Sequence, residues 1–226
     1  LGSVRRDDPR FRFGRAAPTL VAGSTWPRDE RVLLRAFVLV RRTLPNARLI
    51  LVPHEPTPDH LARVERQVAV LDLPPPVRLS AAQAPAPLLL VDTVGQLATL
   101  YGAGTMAYVG GGFGRAGLHS VLEPAAWGIP VAFGPRWRNS RDACLLLTAK
   151  AAVSLPADPT AAERALAQEW ERWIREPEVR QAEGRRAREV IDQGVGASER
   201  SAAMLTEIIS APRPRRSPTE VRAAPQ

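Results

Sequence analysis

The residues best suited to chemistry run from Gly110 to Pro124: Gly110-Gly111-Gly112-Phe113-Gly114-Arg115-Ala116-Gly117-Leu118-His119-Ser120-Val121-Leu122-Glu123-Pro124. Five glycines within eight residues would cost a purely structural loop backbone entropy, whereas a loop that lets a ligand reach its amides needs them. The segment has neither the Gly-Lys-Ser/Thr of a P-loop nor the later acid of a dinucleotide fingerprint. Gly112, Gly114 and Arg115 are candidate contacts for a phosphate or a sugar carboxylate, anions that a guanidinium pairs with well. Ser120-Val121-Leu122-Glu123 admits two readings. It fits a capping box, in which serine and glutamate satisfy helix-start amides; alternatively, the two oxygens of Glu123 accept both hydroxyls of a ribose.

Three other turns carry similar potential. Gly23-Ser24-Thr25-Trp26-Pro27-Arg28-Asp29-Glu30 reads as a strand-to-helix turn, with Ser24 and Thr25 facing an anion at the helix start. The plain alternative is a well-capped helix whose Pro27, Asp29 and Glu30 suit its first turn. Pro53-His54-Glu55 offers an imidazole to a phosphate or a base, or is simply a stiff, solvated loop. Asp92-Thr93-Val94-Gly95-Gln96-Leu97 opens a helix bearing Leu100 and Tyr101, so Gly95 could present free amides to a phosphate or nucleobase. Asp92 or Thr93 could equally cap that helix. Arg136 and Arg138, in Gly134–Asn139, read as solvated loop arginines or anion contacts. His60 and Cys144 fall on amphipathic stretches and read as structural. No His/Cys/Asp/Glu set has metal-ligand spacing, and no nucleophile elbow or triad is evident.

These turns follow short apolar runs, which read as strands: Thr19–Ala22, Arg48–Val52, a weak one near Val77–Leu79, Leu88–Val91, Met106–Val109, Val131–Phe133 and Ala152–Leu155. Continuous rather than alternating apolar character predicts burial on both faces of a parallel sheet. Between the strands, Leu33, Phe37 and Val40 share one helical face, as do Leu61, Val64, Val68 and Leu71. The βαβα order predicts a doubly wound, Rossmann-like α/β domain. Beyond Leu155 two or three helices follow. Leu166, Trp170, Trp173 and Ile174 mark the first, Val190 and Ile191 end a second, and Met204, Ile208 and Ile209 mark a third.

Composition narrows the function classes. The 226 residues are 45% hydrophobic, enough for a sizeable core. No apolar run reaches the ~18–20 residues of a membrane span. The single cysteine fits a reducing compartment. The net charge of +8 is concentrated at the ends, residues 1–15 and 211–226 contributing +3 each. With Lys150 the only lysine, this skew reads as coding composition, and the basic–aromatic interleaving of nucleic-acid readers is lacking. The Pro/Arg-rich segment 211–226 reads as a disordered basic tail, and weak attraction of the basic ends to lipid headgroups is compatible with their charge.

Taken in order, the motifs resemble the C-terminal domain of the 3-deoxy-D-manno-octulosonic acid (Kdo) transferases. The matching features are Gly23-Ser24-Thr25-Trp26-Pro27 with Asp29-Glu30, Pro53-His54-Glu55, Asp92-Thr93 with Gly95 and Leu97 up to Leu100-Tyr101, Tyr108 through Gly114 with His119 and Leu122-Glu123, and Gly128-Ile129-Pro130-Val131 to Pro135. The resemblance covers about Leu20 to Leu155 and implies the C-terminal half of a GT-B glycosyltransferase, with CMP-Kdo as donor and no cofactor. It places donor contacts at Pro53 and His54, at Gly95, Gln96 and Leu97, and at Ser120, Val121, Leu122 and Glu123. Ser120 departs from the family's usual Asn, and His54 from a frequent Arg. The resemblance further implies a lipid A precursor as acceptor, peripheral association at the cytoplasmic face of the bacterial inner membrane, and a catalytic base in an N-terminal domain that these residues do not include. Residues 1–19 are then an interdomain segment or the remnant of that domain, and 20–210 the donor domain. On its own the chain is expected to be soluble and to bind without transferring. The alternatives are half of another GT-B UDP-sugar transferase or 2-epimerase, and a non-catalytic nucleotide-binding domain.

Overall fold

A computed structural model describes residues 18–115 and 117–210, with side chains as far as Gly194. By its contacts the chain divides into two units, Leu1–Ile191 and Asp192–Gln226, and the first holds the whole sheet. Seven strands form that sheet: β1 (Thr19–Thr25), β2 (Arg48–Pro53), β3 (Val77–Arg78), β4 (Leu88–Leu90), β5 (Met106–Val109), β6 (Val131–Phe133) and β7 (Ala152–Ser154). All pairings are parallel, in the order β3-β4-β2-β1-β5-β6-β7. The order reverses direction between β1 and β5, and in open parallel sheets such a switch opens a crevice at the carboxyl ends of the strands.

Both faces of the sheet are covered, which is why its strands are apolar throughout. In β1, Leu20 and Ala22 pack on one side with Leu33 and Phe37 of α1 (Pro27–Thr43), Val64 of α2 (Pro58–Val70) and Trp170 of α6 (Pro159–Arg175). Val21 points to the other side, against Leu100 of α3 (Leu97–Leu100) and Tyr101. Farther along that side, β6 packs on Val121 and on residues of α4 (Leu122–Ala126), α5 (Arg141–Thr148) and α7 (Pro177–Ser210). Helix starts follow local chemistry. Thr57 accepts from the His60 amide and Asp158 from the Ala161 amide, and each helix opens with proline in its first turn, where a missing N–H costs nothing.

Three sequence expectations change. The second and third C-terminal helices are one, α7, running from Pro177 to Ser210. Helix propensity carries across Gly194, a glycine cost of ~1 kcal/mol being too small to break a long helix. The side chains of Met204, Ile208 and Ile209 lie outside the described residues, as do 1–17 and 211–226. The run near Val77 is a two-residue edge strand followed by a 3-10 turn, Leu79–Ala81. Ser120 caps nothing: α4 begins after Val121 with no side-chain cap, so the capping-box reading of Ser120 and Glu123 is removed.

Candidate donor-binding cleft

The candidate residues converge because every strand runs the same way. The segments after β1, β2, β4, β5 and β6 all emerge at one edge of the sheet. β1 ends in a bulge at Ser24, a non-glycine residue at φ +51°, which turns the chain toward Trp26. The Trp26 ring stacks on His54 with centroids 4.8 Å apart, and His54 lies 4.4 Å from His119. Trp26 Nε1 donates to His119 Nε2 at 3.0 Å, so His119 must be neutral with its proton on Nδ1. Burial and the neighbouring His54 both hold its pKa below the ordinary imidazole value. Three rings from three different turns thus form one platform. Sequence reasoning read only His54 as a ligand contact, with Trp26 and His119 appearing as motif residues; the stacking partners are 28 and 65 residues from it, so no local signal marks the platform.

Below the platform lies a buried polar lattice. Asp29 and Glu30 are fully buried and do not serve as exposed dipole partners for α1. Asp29 accepts from the amides of Trp26 and Gly111, both at 3.0 Å, and from the Tyr108 hydroxyl at 2.8 Å. Burial raises its pKa against the lowering effect of these donors. Glu30 accepts from Thr25 Oγ1 at 3.0 Å and meets His60 Nε2 at 2.8 Å. Thr25 is therefore corrected as a ligand contact: it is fully buried and its hydroxyl serves Glu30.

The glycine loop is only partly a ligand loop. Gly111 stands at φ +93°, and a Cβ there would collide with the Gly117 carbonyl. A Cβ on Gly112 would come within 2.7 Å of the Gly134 backbone. These glycines answer close approaches within the protein, which corrects Gly112 as a side open to ligand. Gly114, Arg115 and Gly117 do face solvent, in a cleft of about 440 Å³ shared with Pro135, Arg136, Arg138 and Asn139. Arg136 is held by Gly112 and Gly114 carbonyls, at 3.0 Å through its amide and 3.4 Å through its guanidinium. Three guanidiniums around one cleft suit a phosphate or carboxylate.

A second polar cluster lies on the β4 side. Asp92 is occupied by Ser80, through its amide at 3.0 Å and its hydroxyl at 2.5 Å, so it caps no helix. Gly95 turns at φ +81° with open space around it. Thr93 Oγ1 and Gln96 Oε1 are buried without a hydrogen-bond partner. Trp127 Nε1 donates to the Ala98 carbonyl at 2.6 Å, which ties α4 to α3 and brings Glu123 to this side. Glu123 is half-buried, makes no hydrogen bond among the described residues, and burial raises its pKa. Val121 is core, and Ser120 and Leu122 are exposed; any ligand contact of Val121 must use its backbone. Leu97 is partly buried against the core and Pro53 is buried at the end of β2. No group of three or more His, Cys, Asp or Glu that could hold a metal occurs among the described residues.

The crevice at the switch point of this parallel sheet is cationic on one side and lined by unpaired polar atoms on the other, and the fold that carries it matches the C-terminal domains of GT-B glycosyltransferases. The C-terminal CMP-Kdo binding domain of WaaA from Acinetobacter baumannii has the same fold, with a TM-score of 0.68 at 22% identity over 78% of this chain and 90% of that one. The 3-deoxy-D-manno-octulosonic acid transferase of Bordetella pertussis is 31% identical over 192 residues, 81% of this chain and 43% of that protein. The Aquifex aeolicus transferase is 34% identical over 123 residues, 54% of this chain and 33% of its own length. No protein-family model matches. The chain is thus similar to the C-terminal part of 3-deoxy-D-manno-octulosonic acid transferases, and it spans less than half the length of these relatives.

Proposed function

We propose that residues 20–210 are the donor domain of a transferase that moves Kdo from CMP-Kdo to a lipid A precursor, and that this chain binds the donor without completing the transfer. The observation that carries the reading is Glu123, a half-buried carboxylate with no hydrogen-bond partner among the described residues and a pKa raised by burial. A ribose diol supplies the two donors that such a group lacks. Ser120, Val121 and Leu122 line the same side, and Gly95, Gln96 and Leu97 meet the nucleoside from the β4 turn. Pro53 and His54 border the base, with Trp26 and His119 behind the imidazole. Ser24, Gly114 and Arg115 take the phosphate and the sugar carboxylate.

In the reaction the acceptor hydroxyl attacks the anomeric carbon of Kdo while the bond from that carbon to the phosphate oxygen breaks. CMP leaves carrying the bonding electrons. The part played by this domain is to hold the leaving phosphate among loop amides and Arg115, where preorganised donors favour the developing charge. A base must reach the acceptor hydroxyl directly or through one water. Glu123, on the donor side, does not fill that role, which falls to a second domain. That domain would also carry the lipid A site and hold the enzyme at the cytoplasmic face of the inner membrane; among the described residues no helix is long and apolar enough to cross a membrane.

Calorimetric titration of the chain with CMP, UMP and ADP tests the reading. CMP is expected to bind tightest, and Glu123→Ala to weaken it about tenfold or more, the loss of a charged hydrogen bond being ~1.5–3 kcal/mol. Clear preference for UMP or ADP would sink the Kdo assignment. Because only the ionised carboxylate accepts both hydroxyls, CMP affinity should fall with falling pH, beginning above the ordinary glutamate range. In Glu123→Gln that dependence should shrink to the part that protonation of the CMP phosphate itself contributes.

A further inference from the structure

Between α1 and α2 lies a groove of about 260 Å³ lined by Arg31, Arg35, Arg63, Arg66, Gln67, Val70 and Leu71, none of which lines the donor cleft. The spacing explains the arrangement. Arg31 and Arg35 are one turn apart on α1, while Arg63, Arg66, Gln67 and Val70 follow i, i+3, i+4, i+7 on α2, so two stripes face each other. Arg31, Arg63 and Arg66 are exposed and make no hydrogen bond or ion pair among the described residues. Arg35 lies 3.7 Å from Glu163 and keeps 55% of its side chain in solvent. Glu65, the acid nearest along α2, is engaged by Arg78 at 2.8 Å. Four guanidiniums therefore share one groove against one partial counter-charge, a focused positive field.

Two more features narrow the occupant. Gln67 Oε1 is buried with no hydrogen-bond partner, an acceptor awaiting a hydroxyl. Val70 is 85% exposed, and with Leu71 and the arginine methylene stems it gives the groove an aliphatic wall. No aromatic ring is present for a nucleobase to stack on. We propose that this groove docks the phosphate-bearing headgroups of an anionic lipid surface, with the arginines and Gln67 on the headgroup and Val70 at the acyl boundary. The proposal does not rest on the donor reading.

The test is co-sedimentation of the 226-residue chain with vesicles of phosphatidylcholine, with and without phosphatidylglycerol. It compares the chain with an Arg31→Gln, Arg63→Gln, Arg66→Gln variant. All three positions are exposed, so thermal unfolding should be unchanged, and the basic ends are present in both proteins. The chain is expected to bind only vesicles containing phosphatidylglycerol, and the variant at least tenfold more weakly, each arginine near such a surface being worth about fivefold. Equal binding by the variant, or equal binding to neutral vesicles, overturns the proposal. So does binding of inorganic pyrophosphate without binding to either vesicle, which would assign the groove to a soluble anion.

Discussion

Asp29 Oδ2 accepts from the amides of Trp26 and Gly111 while Oδ1 accepts from the Tyr108 hydroxyl. One buried carboxylate thereby locks the start of α1, the glycine loop and β5 together. Asp29→Ala leaves those neutral donors unsatisfied, each stranded buried donor costing about 1–3 kcal/mol; denaturant unfolding would measure the loss. The adjacent Glu30–His60 pair has a pH signature. His60 Nδ1 faces the Glu55 carbonyl at 2.9 Å and Nε2 faces Glu30, so the imidazolium donates at both ends. The hydrogen bond to Glu30 raises the His60 pKa more than burial lowers it. A raised folded pKa adds stability that is full below the unfolded value and is lost as pH rises through the folded one. Unfolding free energy should fall as pH rises from about 6.5, the ordinary imidazole value, through the raised folded value, and His60→Gln should flatten that slope. From the sequence, Asp29 and Glu30 were legible only as helix-start acids, because their partners lie 82 and 30 residues away.

Among the elements, the loop after β5 is the instructive case. Its glycine density reads as ligand approach, yet Gly112 is required by Gly134 of the neighbouring turn. Two main chains touch there, which composition does not reveal. Gly112→Ala should lower stability and CMP affinity together, whereas Arg115→Ala, at an exposed position, should lower affinity alone. Parallel thermal melts and titrations separate the two. Helix packing was more readable. The α1 and α6 stripes meet through Phe37 and Trp170, stacked with centroids 5.4 Å apart. Trp170→Ala should cost about 3–5 kcal/mol by leaving a cavity. Trp170→Phe should cost less, because Trp170 Nε1 is buried without a hydrogen-bond partner and its loss forfeits no bond.

At the scale of the molecule, β1 lies at the centre of the sheet, paired with β2 and β5 and covered on both faces. Amide hydrogen exchange should be slowest in β1 and faster in the edge strands β3 and β7, since local opening follows burial. The alternation of short apolar runs with amphipathic helices was enough to predict seven parallel strands and a doubly wound sheet, because burial on two faces imposes a composition that survives without coordinates. The order of motifs along the chain likewise pointed to the family, and glycine and cap-type residues marked which turns leave the sheet at its functional edge. Tertiary structure alone decided the rest. It joined Trp26, His54 and His119 into one platform, withdrew Thr25 and Gly112 into the scaffold, left Glu123 without a cap to satisfy, and set two arginine stripes face to face. Each of these depends on distance in space between residues far apart in the chain, and local propensity carries no information about that distance.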